Sequence, residues 1–364
     1  MKKYCVLFAF IIFAANSHAQ KKYSEPLKII GGHINDINRV TISSKGDRIA
    51  TGSWDKNINI YDSSFKLVKT LTGHLFPVTA LKFRADGKLL ASGSSDNTIM
   101  IWDSVWRKSQ TLEGHADQIN TVLFDRSNKY LFSGSDDRTL RAWDIASGKS
   151  FRNINIGQQV NSLAQTNDPR YIYVASAIPQ IRVYNLTNSQ VAKTFDGHAD
   201  VVNAIAISPN NKLLISGSND KTARIWDIVT GKQIRALPVN CWKVTAVAFT
   251  EDGKYAVTGC NDGSIKVWAV ETGLLISDID GINYVKDLVF SKNTQTVLSA
   301  AMLKETKDYG LRVWPSGIEP PASKNIINPS DSLKIKVDSL KLKPQTNIKP
   351  LPPSQKLPSK SKSM

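Results

Sequence analysis

GHLFPVTALKFRADGKLLASGSSDNTIMIWD, residues 73 to 103, is the stretch on which the rest of the chain is patterned. It opens on Gly73-His74 and closes on Trp102-Asp103, with 27 residues between His74 and Trp102. The same frame runs from His33 to Tyr61-Asp62, from His115 to Trp143-Asp144, and from His198 to Trp226-Asp227. Four copies at one spacing are an internal repeat, and a period in this range fixes the architecture before any site is considered. Within the unit, Val78 to Phe83 alternates as a strand and Ala85 to Lys88 carries turn chemistry. Leu89 to Ser94 is a second strand, Ser95 to Asn97 a tight turn, and Ile99 to Trp102 a third strand. Lys66 to Leu71, just ahead of Gly73, alternates as one more. Four short strands make one antiparallel sheet that cannot cover its own faces, so the repeats must stack.

Gly-His, a central Asp and a terminal Trp-Asp at this spacing resemble the Trp-Asp (WD-repeat) β-propeller family. The resemblance covers Leu27 to Trp314 and implies an all-β ring of four-stranded blades around a channel. Third-strand aromatics Tyr61, Trp102, Trp143, Tyr184, Trp226, Trp268 and Trp314 count seven blades. Their spacings are 41, 41, 41, 42, 42 and 46, the last containing an insertion within Ala301 to Asp308. After Trp314, Pro315, Pro320 and Pro321 deny the seventh blade an outer strand. Leu27 to Ile30 occupies that frame, so the N-terminal strand is expected to complete the last blade and leave no bare edge. The fourth repeat departs most, with Ile156 for His, Ile178 for Asp and Tyr184-Asn185 for Trp-Asp. The sixth and seventh carry Asn240 and Gly281 at the His position.

Outside the repeats, Lys2-Lys3, an apolar run from Tyr4 to Ala15 and a small-x-small site ending at Ala19 read as a signal peptide over 1–19. Twelve apolar residues are too few to span a bilayer, so export to a periplasm or beyond is expected, with no membrane span afterwards. Residues 20–315 are then the propeller, and 316–364 a Pro-, Ser- and Lys-rich disordered tail. Formal charge is +16; two Lys lie in the leader and the tail holds nine Lys against three carboxylates, leaving +8 on residues 20–314. An anionic polymer met through the basic tail is an open partner, while nucleic acid is not expected for an exported chain. Only Cys241 and Cys260 remain beyond the leader. The repeat frame sets Cys260 opposite Val244, three strand residues from Cys241, and about 3.3 Å per residue makes that offset too long for a relaxed bridge.

His74, Ser92, Asp96 and Trp102 have the ingredients of a Ser-His-Asp hydrolase. The set recurs as His115, Ser133, Asp137, Trp143 and as His198, Ser216, Asp220, Trp226, with His33, Thr51, Asp55 and Tyr61 a close variant. One nucleophile beside one oxyanion hole makes an enzyme, whereas four copies around a ring make a structural module. The resemblance implies that these residues form a hydrogen-bond network within each blade. No metal cluster is expected, since each propeller His belongs to a different blade, and no cofactor loop is present. Partner contacts in the family use positions one and three after the His and the residue before the Asp. Carried over, these are Leu75, Pro77, Gln118, Gln159, Val201, Lys243 and Tyr284, with Trp54, Asp136 and Asn219, and Trp242 as a neighbour. Aromatics beside a basic group are typical interface anchors. The expectation is a monomeric, non-catalytic scaffold for an envelope or secreted protein. A propeller hydrolase or lactonase with a channel site, and a glycan or anionic-polymer binder, stand as alternatives.

Overall fold

The computed structural model describes residues 20–281, 284–302 and 309–318. The signal-like segment, most of the insertion after Met302 and the tail beyond Ile318 lie outside these residues. The described chain forms seven sheets and no α-helix. Blade 1 runs through Ile37–Ile42, Arg48–Ser53, Ile58–Asp62 and Leu67–Leu71. Blades 2 to 6 repeat this order, and every innermost strand touches the innermost strands on both sides until Tyr284–Ser291 of blade 7 meets Ile37–Ile42. The seven innermost strands therefore close a ring around a central channel.

The ring closes as the sequence requires. Lys28–Ile30 pairs antiparallel with Leu311–Pro315 and becomes the outer strand of blade 7. A second seal lies just ahead of it. Lys21–Tyr23 pairs in parallel with Leu275–Ile279, adding a fifth strand to blade 6. These three residues are too short and too charged to announce a strand. Just after Leu311–Pro315, Ser316 is buried and Ile318 packs on the blade 6–7 core.

Core residues fall into seven clusters, most of them gathered from two successive blades. Blade stacking needs a flat spot, which Gly134 supplies in blade 3. A Cβ built there would stand 2.2 Å from Cγ1 of Val160 on the next blade. The Gly before each tether histidine has another role: Gly197 sits at φ +156°, and a Cβ would press at 3.0 Å on the Trp226 ring.

Candidate functional site

In four blades the His, hydroxyl and Asp converge as a chain of bonds with an assignable direction. In blade 2, Trp102 Nε1 donates to Ser92 Oγ at 2.9 Å, and Ser92 Oγ meets His74 Nε2 at 2.8 Å. His74 Nδ1 meets Asp96 Oδ2 at 2.9 Å, and the same oxygen accepts from Leu75 N. The other Asp96 oxygen accepts from Thr98 N and Oγ1. Each donor is used once if the imidazole is neutral with its proton on Nδ1. Blades 3 and 5 repeat the geometry through His115, Ser133, Asp137, Trp143 and through His198, Ser216, Asp220, Trp226. In blade 1 Thr51 takes the hydroxyl role beside His33 and Asp55, and the Tyr61 hydroxyl bonds the Gly31 carbonyl instead. Burial holds His115 and His198 below the usual imidazole value, although their Asp partners oppose it. Burial alone would raise the Asp220 carboxyl, but bonds from Thr222, His198 and Ala199 N outweigh it and hold it at about 2. Ser92, Ser133 and Ser216 have no solvent exposure. A hydroxyl sealed between an indole and an imidazole cannot meet a substrate, so these are not nucleophiles.

The carried-over rim residues come together on one end of the ring. A backbone bond ties the third position after the His to the residue before the Asp: Trp54 N to Asp36 O, Ser95 N to Pro77 O, Asp136 N to Gln118 O, and Asn219 N to Val201 O. Ala177 N with Gln159 O and Asn261 N with Lys243 O continue the series. The chemistry around this circle is uneven. Leu75 and Gln159 are exposed, while Gln118, Asp136, Val201 and Asn219 are half-buried. Asp136 and Asn219 are held by side-chain amides of Asn120 and Asn203 on the inner strands. Trp242 is 80% and Trp54 46% exposed, so neither is wedged between blades. Beside Trp242, the ammonium groups of Lys243 and Lys286 lie over one Tyr284 ring, at 5.7 and 4.6 Å from its centre.

Below this rim lies a channel cavity of about 400 Å³. Its cations are Arg39, Lys82 and Lys286, and Asp287 is the one carboxylate among its described lining residues. Lys82 faces water there, yet the protein enclosing it pushes its ammonium below the usual lysine range. Burial likewise raises the Asp287 carboxyl, offset in part by Arg39.

A model of the WD domain, G-beta repeat, matches residues 24–62, 65–103, 106–144, 189–227 and 231–269, more than half of the chain. The chain belongs to the WD-repeat family. Its similarity to individual relatives is local. It is 40% identical over 57 residues to the small ribosomal subunit protein RACK1y of Oryza sativa subsp. japonica, covering 16% of this chain and 17% of that one. It is 44% identical over 43 residues to ribosome biogenesis protein BOP1 homologues of Drosophila erecta and Drosophila melanogaster, covering 12% of this chain and 6% of theirs. The chain thus spans under a fifth of the relatives it matches. These names correct the expected export to a periplasm or medium. They belong to a ribosomal protein and to ribosome biogenesis proteins, and ribosomes are made and work inside cells, which points away from an exported chain. The expectation rested on residues 1–19, which lie outside the described residues.

The matches pass over blades 4 and 7, whose WD frame departs, but include blade 6 despite Asn240 at its His position. In blade 4, Ile156, Val174 and Tyr184 occupy the His, hydroxyl and Trp positions and pack in one apolar cluster. Replacing every partner of a polar network together leaves no orphaned donor, so the blade stays intact without its tether. In blade 6, Trp268 Nε1 still bonds Thr258 Oγ1 at 3.0 Å, but Asn240 is exposed and Asp262 caps only its own turn at Ser264. Cys241 and Cys260 are joined by a disulfide there, with Cα atoms 6.3 Å apart. This corrects the expectation that they lie too far apart. Val244 does pair with Cys260, as the frame requires. The strand begins only at Val244, however, and the turn behind it, with Asn240 at φ +59°, folds Cys241 back over Cys260. The bridge links the same loop and strand end that His and Asp link elsewhere. Cys241, Cys260 and Asp262 are also the grouping with metal-ligand geometry among the described residues, but both sulfurs are spent on each other.

Proposed function

We propose that this WD-repeat propeller is a non-catalytic scaffold that holds a protein partner on the rim bearing Trp54, Trp242, Lys243 and Tyr284. The observation that carries this reading is Trp242, the most exposed large aromatic described, next in the chain to Lys243, whose ammonium shares the Tyr284 ring with that of Lys286. A large flat side chain held out by a rigid loop loses little freedom on binding and buries much area, which is the behaviour of an interface anchor. The enzyme alternative draws little support: the repeated serines are sealed, and the channel's described lining offers one carboxylate rather than the cluster a metal-dependent lactonase needs. The names of the relatives make ribosomal or ribosome-assembly particles the first partners to test.

Trp54→Ala combined with Tyr284→Ala should abolish capture of partners from a lysate while leaving the melting temperature within a few degrees. Recovery of the same partners by this double variant would mean that the rim is the wrong face.

A further inference from the structure

Five positions after the His or its replacement, each inner strand places a side chain toward the next blade. Asn38, Asn120, Asn161 and Asn203 donate through Nδ2 to the carbonyls of Val78, Val160, Val202 and Val244 at 2.8 to 3.1 Å. Thr79 and Thr245 do the same through their hydroxyls to Ile119 and Val285. Six of the seven interfaces are closed by this neutral bond. At the seventh, between blades 7 and 1, the position holds Lys286.

Lys286 does not repeat the bond. The interface is made instead by Val40 N donating to Asp287 Oδ2 at 3.1 Å and by Arg39 Nη1 reaching the Lys286 carbonyl at 3.4 Å. Arg39 Nη2 continues across the channel to the Asn120 carbonyl at 3.1 Å, so its guanidinium is held by backbone oxygens. The Lys286 ammonium turns up over Tyr284, where Lys243 also lies. Among the described residues, none of Arg39, Lys243 and Lys286 has a carboxylate within ion-pair distance. Burial, then Arg39, then Lys243 push the Lys286 ammonium below its usual value, and Asp36 alone opposes them. Three cations crowded at one mouth, where six neighbours show that an amide or hydroxyl would close the ring, represent stability given up for charge.

We propose that the channel mouth between blades 6, 7 and 1 is a carboxylate-binding site, which takes one or two acidic side chains of a peptide segment of the protein partner. The proposal rests on the scaffold reading and names its partner's chemistry. Lys243 and Lys286 supply point charges, Arg39 lines the channel below them, and Trp242, next in the chain to Lys243 and exposed, offers an apolar face to the peptide's own side chains. The rest of the rim argues against a polyanion such as RNA. Asp117, Asp136 and Asp200 stand on the same loops and turns, so an extended phosphate backbone would run from the cations onto carboxylates.

The test uses the full chain and a fluorescein-labelled hexaglutamate peptide, followed by anisotropy at low and high salt, with hexaglutamine and a labelled twelve-nucleotide oligouridine as comparators. Hexaglutamate should bind, weaken with salt, and weaken about tenfold in Lys243→Met and again in Lys286→Asn. Lys286→Asn supplies the amide that the other blades use, so its melting temperature should hold or rise while binding falls. Equal binding of hexaglutamine, binding of oligouridine in place of hexaglutamate, or unchanged binding by the double variant would each overturn the proposal. Capture of partners that survives Lys243→Met with Lys286→Asn, yet is lost in Trp54→Ala with Tyr284→Ala, would leave the scaffold standing and remove the carboxylate site.

Discussion

Asp220→Ala tests whether the His-centred chain is a structural tether. The carboxylate accepts from His198 Nδ1 at 2.7 Å, Ala199 N at 3.1 Å, Thr222 N at 3.0 Å and Thr222 Oγ1 at 2.6 Å. These bonds hold it at about 2 against an ordinary 3.8. A shift of that size corresponds to about 2.5 kcal/mol, and solvent screening at the turn reduces it to about 2 kcal/mol. Leaving the buried His198 N–H without an acceptor adds about 1 kcal/mol, so the variant should lose about 3 kcal/mol at neutral pH. Because folding lowers the carboxyl's pKa, its ionic contribution is complete above about pH 4 and disappears as pH falls toward 2. The gap between wild type and variant should therefore shrink to about 1 kcal/mol at the acid end. Native-state hydrogen exchange at the Ala199 and Thr222 amides reads the local free energy, and calorimetry reads the global effect. A loss under about 0.5 kcal/mol at pH 7, or a loss that ignores pH, would refute the tether argument.

Reducing the disulfide, or replacing both Cys241 and Cys260 with Ser, releases a loop of sequence separation 19, worth about 3 kcal/mol in chain entropy; calorimetry with and without reductant checks it. Deleting residues 20–32 removes the outer strand of blade 7 and the fifth strand of blade 6 and should lower the melting temperature sharply, whereas an unchanged value would contradict the closure. Gly134→Ala drives a Cβ against Val160 and should cost about 1–3 kcal/mol in denaturant unfolding, while the reverse Ala175→Gly in blade 4 should avoid that clash. His115 and His198 stay neutral in the fold below the pH at which free imidazole protonates, so stability should begin to fall as pH drops through about 6.5, a first step separate from the carboxylate one.

The blades, their number and the closing strand could all be read from sequence, because a fixed period repeats the His, Asp and aromatic and makes even a missing strand conspicuous. Lys21–Tyr23 could not, since a three-residue strand borrowed by an open edge carries no pattern of its own. The cysteines misled because the offset from Val244 treated Cys241 as strand, and a single left-handed Asn240 undoes that geometry. The rim was reachable as positions but not as chemistry. What singles out Lys286 is its contrast with Asn38, Thr79, Asn120, Asn161, Asn203 and Thr245 at the equivalent place, a comparison that the histidine frame would have allowed had the inner strands been aligned. Arg39 was out of reach, because its span to the carbonyl of Asn120 exists only once the ring is closed.

The double N-terminal seal also sets an order of events during synthesis. Lys21–Tyr23 and Lys28–Ile30 leave the ribosome long before their partners, Leu275–Ile279 and Leu311–Pro315. Throughout translation the early strands have nothing to pair with, and the growing stack of blades presents an open sheet edge at its leading end. Contacts separated by about 250 to 285 residues must then form in one late step, the slowest kind of closure for a chain of this size. A chain stopped before Leu311 would be an arc with two sticky ends, and whatever shields those ends until release is as much a condition of this fold as any bond within it.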